Sequence, residues 1–265
     1  MDLKLNGKRA VVTGSTAGIG LAIAEALARE GANVVVNGRT QQRVEAAIAT
    51  VKITAAGKAE VTGVAADLTT ADGAAQFLRQ VPDADILVNN LGIFAAIPFE
   101  QIDDEQWLQI FQANIMSGVR LSRHYLPRML GQNWGRIMFI SSESALQIPA
   151  EMIHYGMTKT AQLALARGLA ELTAGTGVTV NSILPGPTRS EGVVDFVGGM
   201  AKQQNVTPQQ IEEDFFRNIR PTSLLKRFIE PDEVAAMVAY IASPVSSATN
   251  GAALRVDGGV VRAIV

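Results

Sequence analysis

A phenol followed four residues later by an amine is a pairing that can move protons, and the stretch FISSESALQIPAEMIHYGMTKT holds one in Tyr155 and Lys159. The apolar residues Leu163, Leu165, Leu169 and Leu172 continue a helical spacing, so Tyr155 and Lys159 are expected on one helix face. A tyrosine hydroxyl titrates at about 10, and a neighbouring ammonium stabilises the phenolate, moving the group toward use as an acid or base. Ser142, upstream of the pair, supplies a second hydrogen bond to a reacting oxygen. Any amphipathic helix produces Y-x-x-x-K by chance, as an exposed tyrosine and lysine, so the rest of the chain decides its meaning.

A second chemical feature lies near the N-terminus. Lys8 to Thr13 reads as a short strand that runs into Gly14, Ser15, Thr16, Ala17, Gly18, Ile19 and Gly20, then into the helical LAIAEALARE. Strand, glycine turn and helix let the backbone approach a diphosphate, whose charge meets the N–H groups and positive dipole of the helix start. The same residues also suit an ordinary strand-to-helix turn with packing glycines.

The order T-G-x-x-x-G-x-G, Asn89-Asn90-Leu91-Gly92, an isolated Asn114, Ser142, Tyr155-x-x-x-Lys159 and Pro185-Gly186 resembles the short-chain dehydrogenases/reductases over essentially the whole chain. The ending LLKRFIEPDEVA with GAALRVDGG is similar to that of the 3-oxoacyl-carrier-protein reductases in that family. The resemblance implies a catalytic set of Asn114, Ser142, Tyr155 and Lys159. It also implies dinucleotide contacts from Gly14, Ser15, Thr16, Gly18, Ile19 and Gly20, with Asp67 and Leu68 at the adenine and Asn90 and Gly92 beside the central sheet. Pro185, Gly186, Thr188 and Ser190 follow at the nicotinamide, with Ser190, or Thr188 by a register shift, holding the carboxamide. Asp67, Asn89 and Asn90 also read as turn or cap residues.

Composition agrees. The chain has 265 residues, 48% of them apolar, enough to bury one substantial core, and a single domain over 1–265 is the expectation. A net charge of −2 recommends neither nucleic acid nor an anionic membrane as partner. The absence of cysteine removes disulfides and thiolate chemistry, and the two isolated histidines form no metal-ligand pattern, so no metal is expected. MDLKLNGKRAVV enters the first strand almost at once and no apolar run spans a bilayer, which makes a soluble cytoplasmic protein the expectation.

Strand patterns at Arg9–Thr13, Asn33–Asn37, Val61–Ala65, Ile86–Asn89, Arg136–Ser141, Val178–Ile183 and Ala253–Val256 alternate with helical ones. The helical patterns fall near Ile19–Arg29, Gln41–Ala55, Gly73–Gln80, Asp104–Leu126, Met152–Thr173 and Asp232–Ile241. That alternation predicts βαβ units and an α/β, Rossmann-type doubly wound seven-stranded parallel sheet with helices on both faces. Asp103 with Gln106 forms a capping-box pattern, Thr207 precedes Pro208, and Pro231 opens a helix. The motif residues all fall after strands, at the carboxyl ends where such sheets collect ligands.

Gly38 stands at the end of the second strand, where NAD-preferring relatives carry an acid, and Arg39 follows. A guanidinium there grips a 2′-phosphate, with Asn37 or Thr40 assisting, so NADP(H) is the expected cofactor and NAD(H) the alternative. A solvated helix start or a stack on adenine is the other reading of Arg39. By resemblance, Tyr155 exchanges a proton with a carbonyl oxygen that Ser142 polarises, Lys159 tunes Tyr155 and bonds the nicotinamide ribose, and Asn114 positions a water beside Lys159.

The segment 187–221, with Val193, Val194, Phe196, Val197, Met200, Phe215, Phe216 and Ile219, is a lid in this family, and helix packing is its other reading. Glu143, Gln147, Glu151, Met152 and His154 flank the pair as pocket candidates, His154 as a packing or rim residue. Asn133 and Thr176 stand where the carrier-protein reductases use basic residues to dock an acidic carrier, which favours a small ketone, keto ester or diffusible acyl substrate. A dinucleotide-binding sensor without turnover is the reading from another class. The resemblance further implies a homotetramer paired through the helices of Asn114 and Tyr155 and through the C-terminal strand; the Val260-Val261 and Ile264-Val265 tail is compatible with it.

Overall fold

The strands of the sheet are rich in apolar residues, and all but the last carry them on both faces, the pattern of a parallel sheet covered on each side. In the computed structural model, which describes residues 1–264 with 192, 195 and 196 as backbone alone, seven such strands pair in the order β3-β2-β1-β4-β5-β6-β7. They are β1 (Arg9–Val12), β2 (Asn33–Gly38), β3 (Val61–Ala65), β4 (Ile86–Asn89), β5 (Gly135–Ile140), β6 (Val178–Pro185) and β7 (Ala253–Val256). All six pairings are parallel. The chain winds outward from β1 to β3, returns to lay β4 on the other side of β1, and so leaves a crevice between the ends of β1 and β4.

The helices are α1 (Gly18–Arg29), α2 (Gln41–Ala55), α3 (Ala71–Gln80), α4 (Asp104–Phe111), α5 (Ser117–Gly131), α6 (Ile153–Glu171), α7 (Glu191–Gln204), α8 (Pro208–Asp214) and α9 (Pro231–Ala242). Alternation along the strands divides the core. Ala10, Val12, Val34, Val36 and Met138 pack against α1, α2 and α9, whereas Val11, Val35, Leu87, Ile137 and Phe139 pack against α3, α5 and α6. Each fully buried aliphatic side chain contributes roughly 1.5–3 kcal/mol to this arrangement. The expected caps form: Asp103 with Gln106 and Thr207 with Gln210 make reciprocal capping boxes, and Pro231 opens α9 behind Glu230.

The pattern from Asp104 to Leu126 predicts one helix, and here the structure differs. A π turn, Gln112–Met116, separates α4 from α5 and carries Asn114. A second π turn, Phe215–Ile219, follows α8. Within 187–221 a small cluster of Val197, Ala201, Ile211 and Phe216 closes with Phe228, and Val193, Met200 and Phe215 pack against it. Val194 and Ile219 stay exposed, while the Phe196 side chain and Val265 lie outside the described residues. Among the described residues no helix is long and apolar enough to cross a membrane.

Candidate active site

The turn after β1 needs its glycines. Gly14 and Gly18 hold φ of +59° and +55°, and a Cβ on Gly20 would collide with the Gly14 carbonyl and the Asn90 amide. Helix α1 starts without a side-chain cap and without an acid in its first turn, so its N–H groups and dipole face the crevice open to an anion. Thr16 and Ile19 are half-buried at this mouth.

Ser15 and Asn37 do something other than touch a dinucleotide. The buried Ser15 hydroxyl donates to Val12 O (2.7 Å) and accepts from Asn37 N (2.9 Å). Asn37 accepts from Gly14 N at 3.2 Å and donates to Val64 O and Ala66 O at 3.2 and 3.1 Å, so its amide is spent bracing the turn. The expectation that Asn37 assists at a 2′-phosphate is corrected by this geometry. Arg39 and Thr40 are the exposed groups at the end of β2, and among the described residues the Arg39 guanidinium makes no hydrogen bond or ion pair. A side chain at Gly38 would run into the Thr16 methyl, a steric reason for the glycine where an acid was looked for.

Asn90 ties the ends of β1 and β4 together, donating to Thr13 O and Gly14 O at 3.0 Å each. Exposed Asp67 accepts from the N–H and hydroxyl of Thr69, making a turn, while Leu68 is fully buried in the core and Thr70 caps α3. Past β6, Gly186 fits only as glycine because a Cβ would strike Asp257 O. Thr188 donates to Gly186 O at 2.8 Å; Ser190 opens α7 without a capping bond and lies against Gly18. Ser190 is therefore the freer hydroxyl of the two.

The proton-handling groups meet where β4, β5 and α6 converge. Ser142 follows β5, near enough to Tyr155 to favour its phenolate, while its own hydroxyl donates to Glu143 and accepts from Ser144 N. Lys159 Nζ donates to Ile140 O at 2.8 Å and lies 5.5 Å from the Tyr155 ring centre, and Ser141 Oγ donates to Lys159 O at 2.8 Å, pinning α6 to β5. Gly92 rests over both Asn114 and Lys159. Phe94 meets Tyr155 edge-on with ring centres 6.1 Å apart.

Two expectations are revised here. The Tyr155 pKa is raised rather than lowered: desolvation outweighs the Ser142 hydrogen bond, and the Glu143 charge adds to the rise. Burial also pushes Lys159 down to about 7, against the attraction of Glu143, so at neutral pH its charge is only partial. Asn114, for its part, is fully engaged. Its amide donates to Ile93 O and Thr158 Oγ1 and its oxygen accepts from Ile93 N, while Gln162 Nε2 donates to its backbone carbonyl at 2.7 Å. Gln162 Oε1 in turn accepts from Lys159 Nζ at 3.3 Å, so a side-chain amide links Asn114 to Lys159.

Sequence reasoning missed Gln162 and Arg220. A buried glutamine three residues past Lys159 was the signal for the first; an arginine ending the apolar lid run was the signal for the second. Arg220 is carried inward by the second π turn to Glu143 and Glu151, at 3.3 and 3.1 Å. His154 is buried and packs edge-on against Trp107, off the reaction centre.

Residues 8–197 match the short chain dehydrogenase family. The chain belongs to it. Across the full length of both chains it is 48% identical to the uncharacterized oxidoreductase YvaG of Bacillus subtilis. It is 35% identical to D-beta-hydroxybutyrate dehydrogenase of Cupriavidus necator, covering 96% of this chain and 98% of that one. The crystal structure of L-sorbose reductase from Gluconobacter frateurii, complexed with NADPH and L-sorbose, superposes with a TM-score of 0.94 at 30% identity over all of both chains. This short-chain dehydrogenase is thus an oxidoreductase of the class that interconverts alcohols and ketones with NAD(P), acting on a small molecule. Its own residues fit such a dinucleotide: the glycine cradle a Cβ would fill, and the uncapped start of α1.

Proposed function

We propose that this short-chain dehydrogenase is an NADP(H)-dependent carbonyl reductase in which Tyr155 donates the proton. The observation that carries the reading is the meeting of Ser142, Tyr155 and Lys159 at the strand ends, next to the glycine cradle. When bound, the reduced dinucleotide supplies a hydride to the carbonyl carbon. Tyr155, kept protonated by its raised pKa, gives its proton to the oxygen as negative charge develops there, and Ser142 holds that oxygen by a hydrogen bond. Lys159, with Gln162 and Ile140 O fixing its amine, bonds the ribose and helps the phenol release its proton. Asn114 holds Gln162, and Ser190 orients the carboxamide. The segment 187–221 closes over the substrate and excludes water.

Arg39 supports NADP(H) over NAD(H): it is exposed at the end of β2, unpaired among the described residues, beside Gly38 rather than an acid, and a guanidinium there suits a 2′-phosphate. A small diffusible substrate is favoured over a carrier-bound one. Asn133 spends its oxygen on Gly177 N at 2.9 Å and Thr176 its hydroxyl on Thr173 O at 2.7 Å, leaving no cation for an acidic carrier at either position. We further read the protein as a cytoplasmic homotetramer of single-domain chains. Fluorescence titration with NADPH and NADH, followed by ketones and alcohols on the preferred cofactor, tests the proposal. Tighter NADPH binding with turnover supports it, and NADH preference or binding without turnover on every compound overturns it.

A further inference from the structure

Glu143 is an odd neighbour for a serine that must polarise a carbonyl. Its carboxylate is buried, 5% exposed, and Ser142 Oγ donates its one proton to Glu143 Oε2 at 2.5 Å. The other oxygen, Oε1, takes Arg220 Nε at 3.3 Å, and the same arginine reaches Glu151 Oε1 at 3.1 Å. Two carboxylates thus share one guanidinium, and the cluster keeps a net negative charge beside Tyr155 and Lys159, on both of which Glu143 acts.

The proposed reduction needs the Ser142 proton on the substrate oxygen. To turn, the serine must leave Glu143 Oε2, and a buried carboxylate oxygen stripped of its donor is costly. Arg220 contacts this carboxylate at Oε1 alone, its Nη1 being held by Glu151 and Ile219 O, and in this arrangement does not relieve Oε2. A substrate hydroxyl does, provided it lies close to the carbonyl oxygen. Resting on the reading of Ser142 and Tyr155 above, we infer that the substrate is an α-hydroxy ketone, whose hydroxyl donates to Glu143 Oε2 while its carbonyl oxygen accepts from Ser142. The substrate hydroxyl replaces Ser142 as the carboxylate's donor, so every polar group in the cluster stays paired. A plain ketone leaves Glu143 and the carbonyl competing for one serine proton. A substrate carboxylate in the same place meets the negative cluster and is repelled. The reaction is unchanged: the carbonyl gains a hydride at carbon and a proton at oxygen, two electrons in all, and the product is a vicinal diol whose original hydroxyl is neither made nor broken.

Hydroxyacetone and butan-2-one differ by a hydroxyl in place of a methyl, and their kcat/KM values with NADPH, measured on the wild type and on Glu143→Gln, test the inference. The expected result is a preference for hydroxyacetone of at least about tenfold in the wild type, as a hydrogen bond to a charged group supplies. In Glu143→Gln the ratio is expected to drop severalfold while NADPH affinity, read by fluorescence, stays as it was. Equal values for the two ketones in the wild type overturn the inference and leave the reductase standing; that comparison decides the substrate class even where the variant fails to fold. A preference undiminished in Glu143→Gln overturns the role of Glu143. Reduction of neither ketone, nor of any other carbonyl, with NADPH or NADH overturns the reductase reading and the inference together.

Discussion

Lys159 carries the clearest pH signature in the molecule. Its pKa is lowered from 10.5 to about 7 by burial, so below pH 7 folded and unfolded chains both hold the proton and the folded state bears the full desolvation cost. Between about 7 and 10.4 the unfolded chain keeps a proton that the folded one has released, and the contribution of this group to stability rises with pH. Lys159→Met removes this pH dependence and strands Ile140 O and Gln162 Oε1, so the stability of the variant relative to the wild type is expected to fall between pH 6 and pH 9; melting temperatures at the two pH values check it. Tyr155 moves the other way. With its pKa above the ordinary value, the phenol stays protonated through neutral and mildly alkaline solution, so alcohol oxidation is expected to climb with pH without a plateau below about 10. At Arg39, truncation to alanine is expected to weaken NADPH about ten- to a hundredfold and NADH hardly at all, measured by titration. That Tyr155 and Lys159 are neighbours was legible, because a four-residue spacing on a helix brings the two side chains together. The bracing role of Asn37 was not, because which way a strand-end amide points depends on the pairing of β2 with β3.

At the level of elements, alternation and turn chemistry revealed most of the fold. All seven strands fall within two residues of their expected ends, because a strand buried on both faces leaves a short apolar run bounded by polar residues. The π turns escaped, since an extra residue in a helix leaves the apolar spacing nearly intact. They matter most for the site: one frees the Asn114 carbonyl for Gln162, and the other turns Arg220 inward. Gln162 bridges α6 to the first of these turns. Gln162→Leu strands the Asn114 carbonyl and removes a partner of Lys159, so a loss of roughly 1–3 kcal/mol in denaturant unfolding is expected, accompanied by a lower kcat.

For the whole molecule, α4 leaves Leu108 exposed at 65% and Phe111, three residues on along the same helix face, at 37%, apolar side chains that suit burial against further copies of the chain. Light scattering is expected to report four times the chain mass of 28.1 kDa, and a monomer would remove the tetramer from the account. The central claim is that this fold positions Tyr155 to protonate a carbonyl oxygen during NADPH-dependent reduction. Its most direct test is the rate of NADPH consumption with hydroxyacetone in the wild type and in Tyr155→Phe, alongside NADPH affinity. The account predicts turnover in the wild type, a loss of at least about a hundredfold in the variant, and unchanged affinity; a variant that reduces the ketone at the wild-type rate contradicts it.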